Sequence, residues 1–270
     1  MRAAAGGALT TVLPAFVLLS VAAFGLTFLA RMPDPEVRLS GFATRLEGRS
    51  GGQRHNALLA ARALDGAVIP PGGTFSFNRR VNSWSADAGY VKAPVSFDGE
   101  LVPAFGGGVC QTSTTLYNAA LLAGMEVTER HHHVFAPHYA APGRDAAVAY
   151  PNIDLRFVNP YPFPVRVAAK ADGAGGDTLR VELWGKQAPE AQYALRSRVL
   201  SVESPAPVVR RVPADTSARR FARSAAATGF RVVTYRVTIR NGQEIRRERL
   251  SDDSYPAMPR VLRFAEVSQR

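Results

Sequence analysis

The chain of 270 residues holds a single cysteine, Cys110. That excludes an intrachain disulfide and any zinc site built on several thiolates. No Gly-rich phosphate loop of either standard spacing is present, which removes the usual nucleotide-binding signatures. No helix-turn-helix, zinc-finger or RNA-binding motif is visible. Internal repeats are missing as well. The last deficit is local: from Ala3 to Ala30 no residue carries a charge.

That apolar run is flanked by Arg2 and Arg31. It exceeds the ~20 residues that span a bilayer as a helix, and Pro14 near its start is tolerable there. It predicts a membrane helix over 1–31, a single N-terminal pass at the cell membrane with the folded part outside the cytoplasm. A cleaved signal peptide competes, but its apolar region is usually roughly 7–15 residues, and the small-residue site near Ala30 is poor. Either way the bulk of the chain is exported. Export leaves little access to ATP or nicotinamide, so no cofactor is expected.

Hydrophobic residues make up 46% of the chain, enough for a real core. The net charge is +11, and residues 196–250 hold thirteen Arg against four acidic residues. Such a surface favours polyanions: nucleic acid, anionic lipid headgroups or anionic wall polymers. An Arg-rich solvated surface is the plainer alternative. Export argues against nucleic acid as a partner.

Residues 32–52 read as a linker, 53–186 as the main domain and 187–270 as a separate basic β module. Gln53–Leu64 places Ala57, Leu58, Ala61 and Leu64 on one helical face, with Gly66 as a stop. Thr74–Asn78 alternates and reads as a strand. Cys110–Leu122 reads as a buried helix with Gly124 beyond its end. Met125–Val134 and Ile153–Val158 read as strands, and Val165–Ala169 with Leu179–Leu183 as a hairpin. Farther on, Val233, Tyr235, Val237 and Ile239 alternate with polar residues up to Asn241-Gly242, the strongest short-range hairpin signal.

The segment GGGVCQTSTTLYNAALLAG sets the thiol in the first turn of a helix. Free N–H groups and the dipole there favour the thiolate and could also hold an oxyanion. Four of the five histidines, His131, His132, His133 and His138, follow the helix closely. On a strand, His131 and His133 share a face. Either could serve as base to Cys110, with Asp145 or Asp154 to orient it. Gln111 and the Val109–Gln111 backbone are candidates for the oxyanion hole. Cys110, His131, His133 and His138 also contain enough zinc-type ligands for a metal site, but no metal motif of fixed spacing is matched. A buried, unreactive Cys110 on a structural helix is the remaining alternative.

These residues resemble the VanW family, named for an accessory product of some vancomycin-resistance clusters. The carrying segments are GGGVCQTSTTLYNAALLAGMEVTERHHH, PGRDAAVAY, IDLRFVN and YPFPVRV, with HNALLAARALDGAVIPPGGTFSFN and AGYVKAP upstream. The resemblance covers roughly Leu39–Gly185. Two departures stand out: Val134 where the family often has Ser, and Asn82 where Gly is expected. The later GFRVVTYRVTIRNGQEIRRERLSDDSYPAMPR is similar to G5 domains, which are associated with wall or matrix polysaccharide. The resemblance implies an envelope protein working at peptidoglycan or another anionic wall polymer, and supplies no settled reaction.

The expected fold class is α+β: the helix carrying the lone Cys packed on a mostly antiparallel sheet, then a small all-β module. The expected catalytic set is Cys110, His133 or His131, Asp145 and Gln111. Gly106, Gly107, Gly108, Thr114, Asn118, Arg144 and Asp154 form the expected binding set. The expected function is Cys-dependent acyl transfer or amide hydrolysis on peptidoglycan. The alternative is a non-catalytic wall-binding or scaffold module.

Overall fold

The computed structural model describes residues 36–97, 100–172, 176–212 and 226–265. The expected membrane segment over 1–31 lies outside them. Among the described residues no helix is long and apolar enough to cross a membrane.

The main domain is built on an antiparallel sheet in the order β1-β9-β8-β2. Its strands are β1 (Val37–Arg45), β9 (Thr178–Gly185), β8 (Val165–Asp172) and β2 (Val68–Ile69). β9 alternates as the sequence pattern predicts, with Leu179, Val181 and Leu183 fully buried. Burying each such side chain contributes about 1.5–3 kcal/mol. β1 corrects the expected linker over 32–52. It pairs with β9 along its whole length, apart from a register shift between Arg38 and Ser40. Its VRLSGFATR sequence lacks clean alternation, which is why it reads poorly as a strand.

Helices α1 (Gly51–Leu64) and α3 (Val109–Leu122) pack on each other and on this sheet. α1 starts two residues earlier than expected because Ser50 and Gln53 form a capping box. α3 is tied to β1 by Ser40 Oγ donating to the Ala119 carbonyl at 2.7 Å and by a Thr44–Thr115 hydroxyl pair at 2.9 Å. Those buried hydroxyls explain why α3 is buried on nearly every side despite its polar TSTT run.

Smaller elements frame the site. β3 (Thr74–Ser76), β7 (Arg156–Val158) and β6 (Glu126–Glu129) form one antiparallel sheet, and β4 (Lys92–Phe97) pairs with β5 (Glu100–Phe105). The strand expected over Thr74–Asn78 stops at Ser76, whose side chain caps the short helix α2 (Phe77–Val81). That helix ends at Asn82 with φ at 63°, the left-handed region where glycine is most at ease. The family's preferred glycine at this position thus has a backbone reason.

The C-terminal module contains β10 (Gln192–Glu203), β12 (Gly229–Arg240) and β13 (Gln243–Tyr255), antiparallel in that order. The β12–β13 turn is Asn241-Gly242 with φ of 53° and 78°, as the dipeptide predicts. A parallel pair, β11 (Pro207–Val212) with β14 (Arg260–Ala265), completes it. Taken together the described residues are mostly antiparallel sheet with few helices. The module touches the main domain closely: Thr234 of β12 donates to the Gly143 carbonyl at 3.1 Å.

Candidate active site

Cys110 lies in the first turn of α3, after Gly108 in a left-handed conformation at φ 112°. Its thiol is half-buried, and Sγ sits 3.4 Å from the Val148 carbonyl. The Val109 and Gln111 N–H groups are taken by the carbonyls of Gly106 and Gly108. Among the described residues the Cys110 N–H has no main-chain acceptor of this kind. The helix start therefore offers one oriented donor beside the sulfur, rather than the expected Val109–Gln111 set.

His133 reaches this thiol from beyond β6. Its Nδ1 meets Oδ2 of Asp145 at 2.6 Å, and its backbone N–H donates to the same oxygen at 2.7 Å. The ring also stands close enough to the Cys110 side chain for each to shift the other's protonation. Tyr139 adds its hydroxyl 3.5 Å from His133 Nε2. Thus Cys110, His133 and Asp145 are brought together, in the order that a nucleophile, a base and an orienter require.

Electrostatics follow from that line. Burial pushes the Cys110 thiol up, but the hydrogen bond and charge of His133 outweigh it and leave the thiol below its ordinary value. Burial pushes His133 down, yet Asp145 and Cys110 together raise it to about 10. Burial likewise pushes Asp145 up, while the His133 hydrogen bonds and charge and the Tyr255 hydroxyl bring it to about 2. A carboxylate thus stands behind a charged imidazole, and the thiol beside it is biased toward its thiolate form.

Asp145 is fully buried and well satisfied. Its Oδ1 accepts from the Tyr255 hydroxyl at 2.5 Å and from Arg130 at 3.2 Å. Arg130 also grips Asp253 with contacts of 2.7 and 2.8 Å. Arg130, Tyr139, Asp253 and Tyr255 escaped the sequence reading. Arg130 adjoins the histidine run and was within reach of it. Tyr255 and Asp253 lie in the other module, and no local pattern marks them.

Other expected residues take different places. His131 corrects the shared-face expectation: β6 ends at Glu129, the His131 backbone bridges to Ala147, and its side chain stays on the surface against Glu129 at 3.1 Å. Asp154 is no orienter. It accepts from Ser76 Oγ at 2.6 Å, from the Asn78 and Leu155 N–H groups at 2.8 Å each, and from Arg156 at 2.9 Å. It therefore fastens α2 to β7. The Gln111 side chain is buried and used up, donating to Thr44 Oγ1 and the Arg45 carbonyl and accepting from Arg49.

The expected binding residues mostly hold the frame. A side chain on Gly106 would strike Trp84, one on Gly107 the Ala93 and Pro94 carbonyls, and one on Gly108 the Gln53 carbonyl. The close approach these glycines allow is to the protein itself. Thr114, Asn118 and Arg144 fix the segment carrying Asp145 to α3. Thr114 Oγ1 accepts from the Ala146 N–H at 3.0 Å, and Asn118 bonds both the carbonyl and the Nε of Arg144. The zinc-type quartet does not assemble: among the described residues no three His, Cys, Asp or Glu side chains form a group that could hold a metal. A groove of about 750 Å³ lies elsewhere, between β6 and β13. Its Arg130 and Arg236 are already paired with Asp253 and Glu248, so the chemistry points to the thiol instead.

Comparison with known proteins agrees with this layout. Residues 52–184 match the model of VanW like protein and residues 222–264 that of the G5 domain. YoaR of Bacillus subtilis is 39% identical over 136 residues, 50% of this chain and 45% of that protein. The vancomycin B-type resistance protein VanW of Enterococcus faecalis is 34% identical over 110 residues, 38% of this chain and 40% of that protein. The chain thus spans less than half the length of the curated relatives it matches. No solved structure matches it. On these matches the chain carries a VanW-like domain followed by a C-terminal G5 domain.

Proposed function

We propose that this is an exported, cell-wall-associated protein in which Cys110 is the nucleophile for acyl transfer or amide hydrolysis on peptidoglycan stem peptides or a related acyl donor. The observation that carries the reading is His133, held 2.6 Å from Asp145 and placed beside a half-buried thiol at a helix start.

The thiolate attacks the amide carbonyl carbon, a C–S bond forms, and the carbonyl electron pair moves to oxygen. The Cys110 N–H is placed to meet that oxyanion. Collapse breaks the C–N bond, and the His133 imidazolium gives its proton to the leaving nitrogen. Water or an acceptor amine then attacks the thioester, its proton passes to His133, and the thiolate is restored. Asp145 holds the ring in orientation throughout.

The G5 domain supports a wall location. Arg246, Arg247 and Arg249 are exposed on β13, a basic strand suited to an anionic wall polymer. The apolar run over 1–31 is the proposed tether to the cell membrane.

The test is the pH dependence of Cys110 alkylation by iodoacetamide, with His133→Ala alongside. The wild-type thiol should titrate well below ~8.5, and the variant should move back up toward that value. A thiol that stays inert until the protein is denatured overturns the enzyme reading and leaves wall binding as the function.

A further inference from the structure

The cations around the site differ in how they are used. Arg130 is paired with Asp145 and Asp253, Arg236 with Glu248, and Arg156 with Asp154. Arg144, on Asn118 Oδ1 and the Phe42 ring, and Arg49 are the exceptions, and of the two the one whose charge reaches Cys110 is Arg49. Among the described residues no carboxylate stands within ion-pair distance of it. Its Nε donates to Gln111 Oε1 at 2.9 Å, and its Cζ lies 4.7 Å from the centre of the Tyr139 ring. Gln111 follows Cys110 in the chain, and Tyr139 touches His133. The guanidinium is close enough to Cys110 for their charges to interact.

The position is tied into the fold. Arg49 closes the turn between β1 and α1, its N–H donating to the Leu46 carbonyl at 3.2 Å. Ser50, the next residue, caps α1. The aromatic face and the amide oxygen fix the plane of the guanidinium and engage only one of its five N–H donors. Among the described residues the terminal nitrogens meet no acceptor, on a half-buried cation. A cation in that state is stabilised most by a planar anion that accepts two parallel N–H bonds.

We infer that Arg49 is a carboxylate anchor, holding a free carboxylate of the acyl substrate beside the Cys110 thiolate. The substrate class is an acyl amino acid or short peptide whose free carboxylate lies close to the amide attacked. The inference rests on the Cys110 chemistry proposed above and adds its selectivity.

The experiment compares two alkylating reagents of like shape on the full chain: iodoacetate, which carries a carboxylate, and iodoacetamide, which does not. The readout is the ratio of their rate constants, which cancels any change in thiolate fraction. In Arg49→Gln the ratio should fall about tenfold, and Arg49→Lys, keeping charge without the fork, should fall between. A fall below twofold in Arg49→Gln overturns the anchor. A second measurement needs no variant: N-acetylglycine should protect wild-type Cys110 from iodoacetamide, whereas N-acetylglycinamide should not. Equal protection, or none, overturns the anchor as well. A thiol that reacts with both reagents without charge preference defeats the anchor alone. One inert to both defeats the proposed chemistry and the anchor with it.

Discussion

The hydroxyl of Tyr255 donates to Oδ1 of Asp145 at 2.5 Å, across 110 residues of sequence. The same hydroxyl accepts from the Gly143 N–H at 3.0 Å. One oxygen of Asp145 thus faces His133, and the other is held by the C-terminal module and Arg130. The G5 domain therefore helps to form the site in addition to any grip on the wall.

Tyr255→Phe keeps the ring and removes both hydrogen bonds. It leaves a buried N–H without its acceptor and Asp145 short of a donor. The expected loss is about 1–3 kcal/mol of stability, read from chemical denaturation. If Tyr255 positions the triad, the thiol's alkylation profile should also move up in pH. A stability loss with an unmoved profile would limit Tyr255 to packing.

The two aspartates that the sequence leaves open separate cleanly. Asp145→Asn should bring the Cys110 titration back toward the ordinary thiol range, because His133 loses the charge that raises it. Asp154→Asn should weaken the fold by a few kcal/mol through its four acceptor bonds, with the thiol titration unmoved. The reverse pattern would make Asp154 the orienter.

Gly108→Ala should be severe. It places a Cβ at φ 112°, only 2.2 Å from the Gln53 carbonyl. Backbone must shift, and a loss on the order of 3 kcal/mol or more is expected from chemical denaturation. A variant of wild-type stability would show that the helix start can relax.

Stability should fall on both sides of a mildly acidic optimum. Asp145 is depressed to about 2 in the fold. Its contribution is present above the unfolded carboxylate range of ~4 and is lost as pH falls toward 2. His133 is raised to about 10. Its contribution is complete below the unfolded value of ~6.5 and fades as pH climbs through 10. Denaturation free energies from pH 3 to 10 check both limbs. His133→Ala should flatten the alkaline one.

The sequence shows the parts of this site better than their arrangement. α3 and the Asn-Gly hairpin are legible because each depends on a local pattern of periodicity or turn chemistry. The His133–Asp145 pairing is legible only as one of several combinations. What selects it is visible only in the fold: beyond β6 the His131 side chain stays on the surface against Glu129, while His133 meets the buried Asp145. β1 is hidden because its burial comes from a partner strand more than a hundred residues away. Arg49 is hidden for the same reason: its neighbours Gln111 and Tyr139 come from distant segments. The three glycines before Cys110 mislead, since space around a glycine in sequence does not say what fills it.

The reach of Asp253 and Tyr255 back to Arg130 and Asp145 also sets an order in time. Synthesis runs from the N-terminus, so Cys110, His133 and Asp145 all exist well before the end of β13 does. In that interval Asp145 has His133 but not Tyr255, and Arg130 has no Asp253 to hold it. The surroundings of the thiol in an unfinished chain are therefore incomplete. On the proposed chemistry, the reactive state waits for β13 to close over Asp145, which would couple the onset of chemistry to the completion of folding.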